Sequence, residues 1–308
     1  MAISERALAA LQTHKNPKAE MLEGFDPHLP RGAMEKGLWV NFKEAKLSNY
    51  AHVNPIAKQT NYGLPYRGSQ VLLAYDKTKL SQSDVPKTWN TLTNWIKSNP
   101  GQFIYNRPDN GGSGGNFVRR AILEANGRDP KRFTIDNYSE SYAKKTLPPA
   151  WTILRDLAPY LYGKGSYTAG NTQSIQLLAQ GVVTMVPVWS DQVLQSLSQG
   201  GLPETTGLVQ LDDLAFCGGM SQITVFTNGE NKQATLKLSD FLLSSNIQSQ
   251  IIEKIGGFPA ISWEYIADDL REKYKDVVPK SIPTFPNGPW DNAINSGWYR
   301  NVVPNLKS

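Results

Sequence analysis

Along the first sixty residues the apolar positions form one regular pattern, a short helical one at the start. The stretch KNPKAEMLEGFDPHLPRG behind it carries prolines at 17, 27 and 30 and glycines at 24 and 32, which predict a loop. AMEKGLWVNF predicts a short helix closed by Gly37. Tyr62 to Asp76 reads as two extended runs, the second a buried apolar strand at Val71 to Tyr75. Trp89, Leu92, Trp95 and Ile96 recur at helical spacing and stop at Asn99-Pro100-Gly101, a helix terminator. A strand from Gln102 to Asn106 then enters the loop RPDNGGSGGN and leaves into the helix FVRRAILEANG, whose apolar face is Phe117, Ala121, Ile122 and Ala125.

Further on, helical stretches at Ala150 to Tyr162 and Thr172 to Gln180 precede a strand at Val182 to Val188 and a helix beginning near Gln192. Strands alternating with helices predict parallel α/β units. Extended runs at Leu208 to Phe216 and Gln222 to Phe226 follow, then helices at Ala234 to Leu243, Asn246 to Ile255 and Trp263 to Tyr274.

With 308 residues the chain has length for about two domains or one two-lobed one. A net charge of +5, with charged residues at only 19%, is too dilute to point to a nucleic-acid partner. Cys217 stands alone, so an intramolecular disulfide is excluded, and His14, His28 and His52 form no cluster with it at zinc spacing. No run approaches the ~18 apolar residues of a membrane span.

Chemistry-bearing patterns are few. There is no nucleophile elbow and no His-Glu-x-x-His. The pairs Asp212-Asp213 and Asp268-Asp269 read as solvated surface, and Cys217, beside Phe216, as a small buried hydrophobe. Two constellations remain. The glycine loop with Gly112, Ser113 and Asn116 sits between a strand and a helix, where free backbone N–H groups attract an anion or a polar oxygen; the alternative is a connector with Asn116 as the helix cap. Trp189 and Asp191 emerge where an apolar strand ends, so they either contact a ligand or fill core and cap the next helix. The same choice holds for Tyr66 and Arg67 ahead of the Val71 strand.

The order of several segments resembles a known family. GAMEKGLWVNF, YGLPYRGSQVLLAYDKTKL, VPKTWNTLTNW, QGVVTMVPVWSDQV, SDFLLSSNIQSQIIEKIGGFPAI and KSIPTFPNGPWDNAINSGW are similar, in this order, to stretches of the extracellular solute-binding proteins of ABC importers. The resemblance implies a two-lobed α/β fold of the periplasmic-binding-protein type II kind, with the ligand cleft between lobes. Residues 1–75 with 216–308 would form lobe 1 and 76–215 lobe 2, hinged near Leu72 to Tyr75 and Leu214 to Gln222. It also implies a chain shortened at its N-terminus by a signal peptide and about one βαβ unit of roughly 30 residues.

The function so implied is capture of a small polar organic solute by hinge closure and delivery to a membrane permease, in the periplasm or outside the cell, by a monomer without enzymatic activity, cofactor, metal or nucleic-acid partner. Ligand contacts would come from Tyr66, Arg67, Gly112, Ser113, Asn116, Trp189 and Asp191. Arg67 suits a carboxylate or phosphate and Asp191 an amine or sugar hydroxyl, so a zwitterion or polyol fits both. The adjacent tyrosine pair of iron-binding relatives is absent. Competing readings are an effector-sensing domain, which would need an attached winged helix, an enzyme on the same fold, and a truncated, non-functional chain.

Overall fold

The structure, a computed structural model, describes residues 2–24, 26–274, 281–285 and 288–303. Its first elements are helix α1 (Ala2–Gln12), strand β1 (Met21–Glu23), the long strand β2 (Leu64–Asp76), α2 (Trp89–Ser98) and α3 (Gly112–Ala125). They are followed by α4 (Glu140–Thr146), α5 (Pro148–Leu157), α6 (Asn171–Ala179), β3 (Met185–Trp189), α7 (Ser190–Ser198) and β4 (Thr206–Val209). The last are β5 (Gly218–Val225), α8 (Lys232–Leu242), α9 (Ser245–Ile255), β6 (Phe258–Pro259), α10 (Asp268–Tyr274) and α11 (Pro289–Asn301).

The chain forms two compact units: 1–69 with 219–275, and 70–218 with the described residues from 281 on. The passages at 69/70 and 218/219 lie within β2 and β5. The expected lobe limits at 75 and 215 are thus moved by a few residues. A larger correction concerns the tail, expected in lobe 1. Its α11 belongs to the second unit because its tryptophans are packed there: Trp290 meets Phe133 edge-on at 5.1 Å and donates from Nε1 to Thr134 O at 2.9 Å, while Trp298 Nε1 donates to Tyr105 OH at 3.2 Å.

In the first unit β5 is paired by β1 (Leu22 opposite Thr224) and neighbours β2, whose Arg67 and Gly68 pair with Pro259 and Phe258 of β6. β1 lies inside the stretch expected to be loop; its partner is two hundred residues away. Phe42, Leu64, Ile223, Val225, Ile252 and Ile261 form the core beneath. Gln248, fully buried on α9, fastens this unit: Nε2 donates to Tyr66 O and Leu242 O at 2.8 and 2.7 Å, and Oε1 accepts from Ala260 N at 2.6 Å. The helix expected before Gly37 is reduced to turns, with Gly37 at φ +71° closing them.

In the second unit Val71 to Tyr75 is central and buried, flanked by β3 (Leu73 opposite Pro187) and β4 (Leu73 opposite Val209), both antiparallel. Its alternating side chains feed two cores, Val71, Leu73 and Tyr75 one and Leu72 and Ala74 the other. That explains an uninterrupted apolar run where a half-exposed strand would alternate. The parallel pairing expected for the unit is confined to single bridges, Phe103 with Met185 and Asn106 with Thr168. Helix α2 occupies the expected span, opened by a reciprocal Thr88–Thr91 capping box.

Helix α3 brings an unexpected group into this core. Arg120 is fully buried and donates to Glu124 Oε2 at 2.8 Å, Asp213 Oδ2 at 3.1 Å and Leu214 O at 3.1 Å, with Trp89 beneath its guanidinium. Asp213, expected on the surface, is the counter-ion that makes this burial tolerable. Cys217 is buried as expected, and burial pushes its thiol up to about 11.

Candidate functional site

One buried asparagine builds the entry to α3. Asn106 Nδ2 shares its two protons among the carbonyls of Arg107, Asn110 and Gly111 at 3.0, 3.1 and 2.9 Å. Its Oδ1 accepts from Ser113 Oγ and from Gly114 N, each at 2.7 Å. The glycine run is therefore no loose loop: the helix already begins at Gly112. A Cβ on Gly114 would stand 1.8 Å from Asn106 O, so only glycine lets the first turn lie this close to the backbone of Asn106.

Ser113 is fully buried, with Oγ 2.7 Å from both Asn106 Oδ1 and Asn171 Oδ1, and Asn171 Oδ1 also accepts from Ser113 N at 3.2 Å. Ser113 is thus a brace that ties the start of α6 to the start of α3, with its hydroxyl proton already engaged. Gly112 lies against the half-buried Trp189, whose ring would be 2.7 Å from a Cβ at 112. Trp189 in turn pairs with Val71 and immediately precedes α7.

The first turns of α3, α6 and α7 are thereby gathered in one region of the second unit. None of the three has a side-chain cap on its N-cap residue. The first N–H groups of a helix lack intrahelical acceptors, and the macrodipole makes such ends partly positive. α7 answers this with Asp191 in its first turn, where Oδ1 accepts from Gln192 N at 3.0 Å; α3 and α6 have no acidic residue there.

An open depression of about 570 Å³ lies here, lined by Asn110, Gly111, Asn171, Gln173, Gln176 and Gln192 among others. Among its described lining residues none is ionisable. Two buried amide oxygens of this region, Gln192 Oε1 and Asn116 Oδ1, have no hydrogen-bond partner among the described residues. Asn116 is the fifth residue of α3, not its cap, and its Nδ2 reaches back one turn to donate to Gly112 O at 2.9 Å.

Of the seven expected contacts, the structure brings Gly112, Ser113 and Trp189 together, with Asn116 and Asp191 on the same helix starts. Tyr66 and Arg67 belong to the first unit, on β2. There Tyr66 OH donates to Glu23 Oε1 at 2.7 Å and Arg67 Nε donates to Tyr66 OH at 3.1 Å. Burial raises the Tyr66 phenol above its ordinary value, and the Arg67 contact opposes that rise. Reading the sequence missed Asn106, Asn110, Asn171, Gln173, Gln176 and Gln192. Their only signal was position: amides immediately after a strand or at a helix start.

Residues 2–273 match the family described as bacterial extracellular solute-binding protein. The chain belongs to this family. Solved structures of low identity share its fold. An ABC transporter from Clostridium perfringens aligns over 99% of this chain and 89% of its own at 14% identity, with a TM-score of 0.66. The spermidine/putrescine ABC transporter substrate-binding protein PotD of Streptococcus pneumoniae aligns over 99% and 89% at 11% identity and 0.68. An ABC transporter solute-binding protein of Thermotoga lettingae, bound with α-D-tagatose, aligns over 98% and 84% at 16% identity and 0.64. No curated protein matches the sequence. The family's fold is the two-lobed α/β fold expected from the order of segments, and its members bind solutes. Among the described residues no helix is long and apolar enough to cross a membrane, and no cluster of His, Cys, Asp or Glu could hold a metal.

Proposed function

We propose that this solute-binding protein is the substrate-binding component of an ABC importer. It captures a small polar organic solute in the periplasm or at the cell exterior and passes it to a membrane permease without chemically altering it. The names of the structural relatives support the importer context. The observation that carries the solute reading is the gathering of three helix starts around an amide-lined depression of about 570 Å³, inside the ~300–1,000 Å³ range of small-molecule sites.

In this reading the amides of α6 and α7 that line the depression supply hydrogen bonds, Gly112, Trp189 and Asn116 flank that lining and extend the site, and Asp191 accepts from the solute or steadies the start of α7. Ser113 holds the start of α3 in place. Tyr66 and Arg67 are separate candidates on the first unit, whose alanine variants measure whether that unit contributes to affinity. A solute that favours a closed form shifts the population toward it by its differential affinity.

Thermal-shift screening of small polar solutes, followed by titration calorimetry of the best binder, tests the site. Trp189→Ala and Asp191→Ala are expected to weaken binding tenfold or more; unchanged affinity in both variants would sink the assignment. Small-angle scattering then follows closure, which is expected to appear as a smaller radius of gyration on saturation.

A further inference from the structure

We infer that the solute is neutral and polyhydroxylated, a monosaccharide or a polyol, an inference that rests on the binding site proposed above. Its lining offers amide groups and backbone but, among the described residues, no charge to pair with a charged occupant. Amides present both donors and acceptors. The start of α6 adds N–H donors with no side-chain cap, whereas Ser113 N and Gly114 N at the start of α3 are already taken by Asn171 and Asn106. Gln192 Oε1, buried and without a hydrogen-bond partner among the described residues, is an acceptor waiting for a donor.

An occupant must therefore accept from N–H groups and donate to an amide oxygen within one small region. A hydroxyl group does both. A carboxylate alone answers the N–H groups but brings no donor to Gln192 Oε1, and the charge of a carboxylate or phosphate, like both charges of an amino acid, would stand unpaired among the amides of the lining. A polyamine reverses the fault: its ammonium groups donate to Gln192 but accept from nothing. Asp191, the one carboxylate among the expected contacts of this region, already accepts from Gln192 N and faces the positive end of its own helix.

The test is titration calorimetry of the full chain at low and high sodium chloride against two panels. The neutral panel holds hexoses, pentoses, hexitols and inositols; the charged panel holds spermidine, amino acids and dicarboxylates. Gln192→Leu and Gln176→Leu are titrated beside the parent chain. Gln176 is exposed, so its replacement keeps the test open if the Gln192 variant folds poorly. The expected result is binding of a neutral compound with less than a twofold change in Kd between the two salts, weakened tenfold or more in either variant. Binding confined to the charged panel, or no binding in the neutral one, overturns the solute class. Binding of any compound that survives both replacements overturns the site itself, which separates the two failures.

Discussion

Replacing Gly114 by alanine puts a methyl group where the structure has no room. The new Cβ would stand 1.8 Å from Asn106 O and 2.7 Å from its carbonyl carbon, both backbone atoms. Ordinary contacts need about 3.5 Å, so the start of α3 must move by roughly 1.5 Å. Such a shift costs about 1–3 kcal/mol as overpacking. It also breaks the Gly114 N and Ser113 Oγ bonds to Asn106 Oδ1, both 2.7 Å, each contributing about 0.5–1.5 kcal/mol. Alanine returns about 0.5–1 kcal/mol of helix propensity.

The balance is a loss near 3 kcal/mol. At Gly115, the next residue, the nearest atom is Pro108 O at 3.2 Å, and Gly115→Ala is expected to stay within about 1 kcal/mol of the parent. Urea titrations followed by tryptophan fluorescence and far-ultraviolet circular dichroism measure both. With an m-value near 3 kcal/mol/M, Gly114→Ala should lower the midpoint by about 1 M. Coincidence of the two probes establishes whether the units unfold together. A Gly114→Ala midpoint equal to that of Gly115→Ala would refute the view that Asn106 and glycine jointly fix this helix start.

Asp213→Asn removes a counter-ion from the fully buried Arg120 and should cost about 3–5 kcal/mol, nearer the lower end because Glu124 remains; Arg120→Met in that background should recover part of it in thermal unfolding, and a single variant within 1 kcal/mol of the parent would contradict the pairing. Cys217, with its thiol pushed up to about 11 by burial, should resist a thiol-specific reagent at pH 8 in the native protein and react at once when unfolded; rapid native labelling would refute it. Burial pushes the Tyr167 phenol up to about 12 from an ordinary value near 10, so its contribution to stability is fully present below pH 10 and lost as the pH climbs toward 12. Tyr167→Phe should flatten the alkaline fall in stability, and an identical fall in parent and variant would count against the shift.

What could be read from the sequence was mostly local. Helix α2 has its capping threonine, its apolar stripe and its Asn-Pro-Gly stop within the fourteen residues 88–101, and it forms over the expected span. The strand at Val71 to Tyr75 declared itself because burial on both faces leaves an unbroken apolar run. The glycine loop was found but misread: whether those glycines are flexible or helical depends on Asn106, whose buried side chain supplies the acceptor for Gly114 N. Nothing local marks Arg120 of α3 for burial, since its partner Asp213 lies 93 positions away. β1 and the packing of α11 were hidden for the same reason, as both depend on partners distant in the chain. The amides at the depression carry no signature in the sequence, and only the convergence of three helix starts brings them to one place.

The most direct measurement is native mass spectrometry of the purified full chain incubated with a mixed pool of sugars, polyols, amino acids, polyamines and carboxylates. A solute-binding protein should retain one of them as a single 1:1 adduct that saturates and is released on denaturation. A mass unchanged by every component of the pool, or a ladder of weak adducts that never saturates, would contradict the claim that this chain captures a small polar solute.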